Sequence, residues 1–475
     1  MKKVIYLWST VFIFSCTGST TISHQDNKVI EISNYLDSLD GFSGAVLIAR
    51  NDSVLFKKAY GYAHLGHKVK NNTATKFSYA SIGKSFTAVA VFQLIQEGKL
   101  SLSDPMGKFL PDYPNQAAGD SITIKQLLMH RSGLPNYFQS EKFINTSKEQ
   151  YRDMKSLASL YEEEPLEFKP DEDFAYRNTN YIVLGRIIEA VSQMPYEEFV
   201  RKNIFAVAKM ENTGNPDSDH PVENAAESYM LSEIYPNQLQ KTFFMSAVKG
   251  GPAGGGRSTL DDLYKFATAF KNGRLLNATY TDMMKTAPVN GWYGYGMQFA
   301  GAKGSGIYGH SGGHFGVGAE WRIFDKQGYT VILLTNKDLD QGFFDARFFI
   351  EKVIAGATPK LDSYFFTKKV IHAYMEKGAE NAEKMIVGAK NELSEINMNA
   401  KGYEMIKRGF YEKAIGLFQL EVLAFPESYD AYDSLGEAYM MNGDTEKAIK
   451  NYEKSLALNP ENDNAKEKLE MLEGK

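Results

Sequence analysis

A serine and a lysine three positions apart, Ser81 and Lys84, are the residues best suited to chemistry in this sequence. They open a nearly continuous apolar run from Ile82 to Ile95, which predicts a buried helix that ends near Gly98. Residues three apart on a helix share a face, with Cβ atoms about 5–6 Å apart. Because desolvation lowers the pKa of a lysine, its neutral amine can accept the serine proton. The pair therefore predicts a nucleophile for acyl transfer, with a plain helix N-cap as the alternative for Ser81.

Two later polar motifs stand beside predicted buried elements. Tyr176-Arg177-Asn178 comes directly before an apolar helix, and His310-Ser311-Gly312 lies among predicted strands. Each of these residues also has a purely structural interpretation. Tyr176 can be a core residue, Asn178 can be a helix N-cap, and His310 can be a hydrogen-bonded structural histidine. Together with the serine–lysine pair they supply a nucleophile, proton acceptors and polar groups for a substrate, which is the set that acyl transfer needs.

The elements that must hold these motifs follow an α+β pattern. A β-hairpin is predicted from Gly44 to Phe56, and antiparallel strands are predicted again at 294–299, 314–324 and 329–336. Helices are predicted between them, and Gly250–Gly256 predicts a flexible loop. We therefore expect one domain over residues 31–356, whose sheet takes strands from both of its ends.

A repeat with a period of 34 residues follows. It relates Gly402 to Gly436, Ala414 to Ala448, Phe418 to Tyr452 and Pro426 to Pro460. This period and pattern are typical of tetratricopeptide (TPR) repeats, which pair two helices in each unit. We expect an all-α repeat region with a capping helix over residues 395–475, preceded by connecting helices at 357–394 that complete the stack. We interpret the aromatic and small residues of the repeats as packing residues first, with a groove that binds a protein partner as the alternative.

In their order, the three motifs resemble those of the serine β-lactamase and penicillin-recognising D,D-peptidase family, most closely its class C β-lactamases and their esterase and peptidase relatives. The resemblance spans roughly residues 30–355. It includes the surrounding patterns Leu127-Leu128-x-His130-x-Ser132-Gly133-Leu134, Asn178-Thr179-Asn180-Tyr181 and Gly309-His310-Ser311-Gly312-Gly313. It implies a β-lactamase-like α+β domain in which Ser-x-x-Lys carries the nucleophile.

The resemblance also implies a role for each motif residue. Ser81 would attack a carbonyl and form an acyl-enzyme, while Lys84 and Tyr176 would share the proton transfers, with either of them as the first base. Asn178 would bind Lys84 and the substrate amide. The residues expected to bind or position substrate are Asn178, His310, Ser311 and Gly312, and the backbone N–H groups expected to form the oxyanion hole are those of Ser81 and Gly313.

The third motif departs from the family pattern, because a lysine usually stands where this chain has His310. A histidine is mostly neutral at pH 7 and suits a substrate carboxylate less well. We therefore favour an esterase, D-aminopeptidase or D,D-carboxypeptidase acting on a small or peptide-type ester or amide. A true class C-like β-lactamase is one alternative. A non-catalytic penicillin-binding-type sensor or scaffold that acts through the repeats is another.

Other classes of protein fit the sequence poorly. A net charge of −5 offers no basic surface for nucleic acid. The eight histidines show no metal-binding spacing, so neither a metal nor another cofactor is expected. Gly309–Gly313 also matches Gly-x-Ser-x-Gly, the nucleophile elbow of α/β-hydrolases, but a helix should follow that motif, whereas strand-like sequence does.

The N-terminus predicts export. A basic start, an apolar run from Val4 to Phe14 and a polar segment after Cys16 fit a signal peptide over residues 1–16, which is too short to span a membrane. Residues 13–16 resemble a bacterial lipobox, so Cys16 is the expected lipidation site, with ordinary signal-peptidase cleavage as the alternative. We expect residues 17–30 to form a tether and a lipid anchor to hold the protein to a membrane in the periplasm or cell envelope.

Overall fold

The computed structural model describes residues 26–232, 234–288, 291–389 and 392–474. The signal peptide and Cys16 lie outside these residues, so export and lipidation remain predictions. Across these four ranges, every helix is too short or too polar to cross a bilayer. The expected tether of residues 17–30 is shorter at its C-terminal end, because Asp26 caps a helix that begins at Asn27.

The strands and helices are numbered in chain order. The strands are β1 Gly44–Arg50, β2 Ser53–Tyr60, β3 Tyr62–His64, β4 Val69–Lys70, β5 Phe77–Ser78, β6 Tyr229–Leu231, β7 Leu239–Lys241, β8 Arg257–Ser258, β9 Gln298–Ala300, β10 Ile307–His314, β11 Val317–Phe324 and β12 Tyr329–Thr335. The helices are α1 Asn27–Ser38, α2 Gly83–Gln96, α3 Gln116–Ser121, α4 Ile124–Leu128, α5 Glu141–Asn145, α6 Met154–Ala158, α7 Asn178–Ser192, α8 Tyr196–Val200, α9 Ala206–Ala208, α10 Leu260–Lys271, α11 Ala278–Lys285, α12 Phe344–Ala355, α13 Pro359–Lys377, α14 Ala379–Ala389, α15 Glu395–Lys407, α16 Tyr411–Ala424, α17 Tyr429–Met441, α18 Thr445–Leu458 and α19 Asp463–Glu473.

The main sheet joins both ends of the first domain. Its order is β2-β1-β12-β11-β10-β9, and every pairing is antiparallel, with Gly44 opposite Thr335. Strand β1 is buried on both faces: Leu47 points into the large core around α2, and Val46 into a smaller core with α1 and α12. Side chains alternate across a strand, so its continuous apolar run covers two layers of helices. The predicted hairpin and the α+β class are confirmed.

Helix α2 lies in the large core, as its uniformly apolar sequence predicts. Buried side chains cover every side of it from Gly83 to Val91, and Gly98 has φ +72° just beyond its end. A left-handed glycine stops a helix without steric strain. Ser81 therefore stands where the most deeply buried helix of the domain begins.

The glycine-rich strand was mispredicted. The predicted strand 314–324 corresponds to β11, Val317–Phe324. The structure adds β10 over Ile307–His314, for which no strand bounds were predicted, and the predicted strand 294–299 is reduced to β9. Glycine disfavours strands, so composition hides β10. A Cβ at Gly312 would overlap the backbone nitrogen of Ser81, and this close approach is the reason for glycine there.

The 34-residue repeat has a direct packing explanation. Gly402 lies under the Phe418 ring, and Gly436 takes the equivalent place under the Tyr452 ring, 34 residues later. A side chain at either glycine would meet the ring, so each helix pair needs a small residue opposite an aromatic one. Helices α13 and α14 share the core of the repeats through residues such as Val370 and Ile386.

Among the described residues, the helical tail contacts the first domain beside α12 and, farther along, at the β6–β7 hairpin. Asp345 on α12 accepts hydrogen bonds from Tyr364 Oη at 2.8 Å and Lys368 Nζ at 2.7 Å, both on α13. Farther along, the turn after α15 meets the β6–β7 hairpin, where Asn237 N–H donates to the Lys407 carbonyl at 3.1 Å. The tail therefore packs on elements that flank the site described next.

Candidate active site

Ser81 lies in a strained turn that leads into α2. The preceding residue, Ala80, has φ +43°, a left-handed conformation that non-glycine residues rarely adopt. Gly255 N–H donates to the Ala80 carbonyl at 3.1 Å and holds this conformation in place. A Cβ at Gly254 would overlap that same carbonyl, so the loop and the turn touch backbone to backbone. Such local strain is common at catalytic turns.

Lys84 is fully buried and points at Ser81. Its Nζ lies 3.1 Å from Ser81 Oγ, 2.7 Å from Asn178 Oδ1 and 2.7 Å from the Ala253 carbonyl. No carboxylate forms an ion pair with Lys84 within the described ranges, and burial lowers its pKa to about 7. A neutral amine has two N–H donors and one lone pair. The two carbonyl oxygens take the donors, which leaves the lone pair for the Ser81 hydroxyl.

Tyr176 and Asn178 are delivered by the start of α7. Asn178 is the first residue of that helix, and Arg177 is its N-cap. The Tyr176 ring centroid lies 5.0 Å from Lys84 Nζ. Burial raises the pKa of Tyr176 well above 10, and a hydrogen bond with the Ser81 side chain offsets this only in part. At neutral pH Tyr176 is therefore a phenol, while Lys84 is partly neutral.

His310 is not at the cleft surface, although its motif predicts that it binds or positions substrate. It is fully buried, with Nδ1 2.6 Å from the Ser311 carbonyl and Nε2 3.1 Å from Tyr293 Oη. Because the carbonyl can only accept, Nδ1 carries the proton, and the unprotonated Nε2 faces the Tyr293 hydroxyl. Burial and nearby Lys84 hold the pKa of His310 well below 6.5. His310 is neutral, and any influence on substrate passes through Ser311 and Gly312.

His130 belongs to the site, although the sequence indicated it only within a pattern that surrounds the motifs. Its carbonyl accepts from Ala175 N–H at 3.0 Å, and its Nδ1 accepts from Arg177 N–H at 3.2 Å. The ring lies 4.3 Å from the Tyr176 ring, centroid to centroid. His130 therefore holds the backbone on both sides of Tyr176. The sequence signal was present, because His130 is one of the family-like residues between Leu127 and Leu134.

Ala253 was also missed. The loop Gly250–Gly256 was predicted to be flexible, but Gly251 and Gly254 form reciprocal backbone hydrogen bonds of 2.8 and 2.9 Å. The glycines allow the loop to approach the turn at Ser81 and to aim the Ala253 carbonyl at Lys84. Glycine content here reflects close packing of backbones rather than mobility.

Two cavities meet at the nucleophile. One, the Tyr137 cavity, has a volume of about 240 Å³ and is lined by Ser81, Tyr176, Gly313, Tyr137, Phe138 and Ser246, among others. The other, the Arg347 cavity, has about 290 Å³ and is lined by Ser81, Tyr176, Trp292, Ser311, Gly312, Gly313 and Arg347, among others. Residues from segments 136–173 and 212–249 contribute to the walls of the Tyr137 cavity. Ser81 therefore has space on both sides for the two parts of a substrate.

Known proteins share both the sequence and the fold. The sequence model of the Beta-lactamase family matches residues 32–354. The chain belongs to this family. Its members are serine hydrolases, and this protein is one of them. The tetratricopeptide repeat model matches residues 429–462, which confirms a repeat of this type there.

Individual relatives cover the same part of the chain. The putative penicillin-binding protein PbpX of Bacillus subtilis (strain 168) is 31% identical over 314 residues, 64% of this chain and 72% of PbpX. A penicillin binding protein from Bacillus halodurans has a TM-score of 0.61 at 27% identity, covering 70% of this chain and 100% of that protein. D-amino acid amidase from Ochrobactrum anthropi SV3, complexed with L-phenylalanine amide, has a TM-score of 0.61 at 24% identity, over 69% of this chain and 99% of the amidase, and shares the fold.

Proposed function

We propose that the protein hydrolyses an ester or amide through an acyl-enzyme on Ser81. The supporting observation is the arrangement at Lys84, whose amine is desolvated, has a pKa of about 7 and has its lone pair free toward the Ser81 hydroxyl. A base with a pKa near the working pH is the most effective proton acceptor. The geometry of a serine activated by an adjacent base is thus complete without a cofactor.

In the proposed first step, Ser81 Oγ bonds to the substrate carbonyl carbon while its proton moves to Lys84 Nζ. The carbonyl oxygen becomes an oxyanion, which the backbone N–H groups of Ser81 and Gly313 would stabilise, since both residues line both cavities. Tyr176, a phenol at neutral pH, would give its proton to the leaving group as the oxyanion collapses and the bond to that group breaks, and would then take a proton back from Lys84. Water next attacks the acyl-enzyme carbonyl and gives a proton to Lys84. The bond between Ser81 Oγ and the acyl group breaks, Lys84 returns the proton to Ser81, and the acid leaves.

The substrate class we favour is an ester or amide of the esterase, D-aminopeptidase or D,D-carboxypeptidase type. The Tyr137 cavity carries Tyr137, Phe138 and Tyr151, which suit an apolar acyl group. The likeness to D-amino acid amidase supports a D-aminoacyl amide among these. The neutral, buried His310 supports this class over a true β-lactamase, because the third motif offers no cation to a substrate carboxylate.

We further propose that this hydrolysis takes place outside the cytoplasm, in the periplasm or cell envelope. The support is the signal-peptide pattern of residues 1–16 and the lipobox-like sequence at Cys16. In this proposal the repeats bind a partner protein while the lipid anchor holds the enzyme at a membrane. A non-catalytic sensor is the alternative, and the intact serine–lysine–tyrosine geometry argues against it.

Intact-protein mass spectrometry tests the proposal. The protein is exposed to a fluorophosphonate and, separately, to a penicillin, with Ser81→Ala as the control variant. We expect one fluorophosphonate adduct on the wild type and none on Ser81→Ala. A penicillin adduct in addition would indicate a D,D-peptidase or β-lactamase, and its absence an esterase or aminopeptidase. A wild-type protein without any adduct, or an adduct that persists in Ser81→Ala, would refute the assignment.

A further inference from the structure

A third cavity extends the cleft beyond the Tyr137 cavity. This Arg257 cavity has a volume of about 360 Å³. Its lining includes the charged side chain of Arg257 and the hydroxyl groups of Ser78, Ser218, Ser228 and Thr242. Four residues, Ser246, Ala247, Gly255 and His314, line both this cavity and the Tyr137 cavity. The two spaces are therefore neighbours with a shared wall, and a substrate bound at Ser81 can extend from one toward the other.

Arg257 brings a positive charge to this cavity. Its Nη1 donates to the Ala226 carbonyl at 2.9 Å, and it has no ion-pair partner within the four described ranges. The neighbouring acid, Glu227, is already engaged by Lys241 Nζ at 2.6 Å and by His64 Nε2 at 3.1 Å. Burial lowers the pKa of Arg257, which nonetheless stays charged at neutral pH. Asp219 and Glu227, the two carboxylates that also line this cavity, form ion pairs with Arg152 and Lys241. Glu227 attracts Arg257 through space but forms no ion pair with it, so the guanidinium keeps donors for an anion.

The backbone places this charge within reach of the nucleophile. Arg257 pairs with Ser78 across β8 and β5, and Ser78 precedes Ser81 by three residues. An antiparallel pair separates Cα atoms by about 5 Å, and three residues span at most about 10 Å. The Cα atoms of Arg257 and Ser81 are therefore at most about 15 Å apart.

We propose that the Arg257 cavity is an acyl-group subsite, which binds a carboxylate several bonds away from the carbonyl that Ser81 attacks. The planar guanidinium donates two parallel hydrogen bonds to the carboxylate, and the serine and threonine hydroxyls of the wall supply further donors. This inference rests on the proposed hydrolysis and adds a preference for acyl groups that end in a negative charge. The apolar stem of such a group lies in the Tyr137 cavity.

Matched ester series test the subsite. The first series is the mono-4-nitrophenyl esters of glutaric, adipic, pimelic and suberic acids, and the second is the uncharged 4-nitrophenyl esters of the same chain lengths. We expect wild-type kcat/KM to favour the charged ester by about tenfold or more at one optimal length. Arg257→Gln should remove this preference, and Arg257→Lys should keep part of it. Hydrolysis of 4-nitrophenyl acetate, which is too short to reach Arg257, should stay within about twofold.

A remote charge provides the control. Lys99→Gln changes the net charge by the same amount, but Lys99 lies beyond the far end of α2, about 20 Å from Ser81 at 1.5 Å per residue. It should leave the preference intact. If the wild type shows no preference for the charged ester, or if the preference survives in Arg257→Gln, the proposed subsite is wrong. Hydrolysis of 4-nitrophenyl acetate would still support the proposed function in either case.

Binding separates the two proposals if no ester is hydrolysed. In that case the proposed function fails, and isothermal titration of Ser81→Ala with suberamate, the monoamide of suberic acid, and with the uncharged octanamide tests the subsite alone. Tighter binding of suberamate that disappears in the Ser81→Ala, Arg257→Gln double variant supports the subsite. Equal binding of the two amides overturns it.

Discussion

The pKa of Lys84 makes a quantitative prediction about the pH dependence of acylation. Burial lowers this pKa from 10.5 to about 7. At 1.36 kcal/mol per unit, the shift corresponds to about 5 kcal/mol of destabilisation of the charged amine. If the neutral amine is the first base, the reactive fraction is about one half at pH 7 and about one per cent at pH 5. The value of kcat/KM should therefore rise about tenfold per pH unit below 7 and level off above about pH 8.

The assay is the hydrolysis of 4-nitrophenyl acetate between pH 5 and pH 9, corrected for spontaneous hydrolysis. Lys84→Arg is the control, because arginine cannot give up its proton in this range. It should lower kcat/KM by about 10²–10⁴-fold and remove the rise of kcat/KM with pH that is centred near pH 7. Tyr176→Phe should lower the rate but retain that rise. A rise centred near pH 10 in the wild type, or a rise near pH 7 that survives in Lys84→Arg, would refute the reasoning.

The same pKa links stability to pH, with a defined sign. Between pH 7 and pH 10.5 the unfolded chain binds a proton at Lys84 that the folded protein does not, so the folded state gains stability as pH rises. The free energy of unfolding of the wild type, relative to Lys84→Met, should increase by up to about 5 kcal/mol over this window. Urea unfolding at pH 7, 8.5 and 10 measures it. A difference that does not change with pH would contradict the lowered pKa.

Two further predictions concern the loop at Ser81 and the helical tail. Gly254→Ala should reduce kcat/KM by about 10²-fold or more, because its Cβ would overlap the Ala80 carbonyl. Gly251→Ala is the control and should act like the wild type, because the space around its Cβ is open. Equal activities of the two variants would show that the loop does not position the nucleophile. Deletion of residues 395–475 should lower kcat/KM for 4-nitrophenyl acetate less than about tenfold, since the tail meets the β6–β7 hairpin through surface hydrogen bonds worth about 1 kcal/mol each. Circular dichroism checks that the truncated protein is folded. Complete loss of activity in a folded truncated protein would show that the repeats help to build the site.

Several features of the site could be predicted because they are local. The separation of Ser81 and Lys84 follows from helical geometry, and the apolar residues after them predict that the helix is buried. The 34-residue period predicts the repeats, since the packing of Gly436 under Tyr452 recurs in each unit. The order of the three motifs was enough to identify the family. These properties depend on neighbours in the chain, which the sequence displays directly.

Other features depend on contacts between distant segments. The sequence places His310 in a motif, but only the packing of Tyr293 against it shows that the ring is buried and neutral. The glycines at 250–256 predict a flexible loop, yet they allow Ala253 to reach Lys84 from 169 positions away.

Composition and spacing indicate which residues can react. The burial that sets their pKa values arises from long-range packing, and so does the position of Arg257, which forms no ion pair with the residues that the structure describes. The physical reason is that the cost of desolvating a charge depends on everything that surrounds it, and in this protein most of those surroundings come from distant parts of the chain.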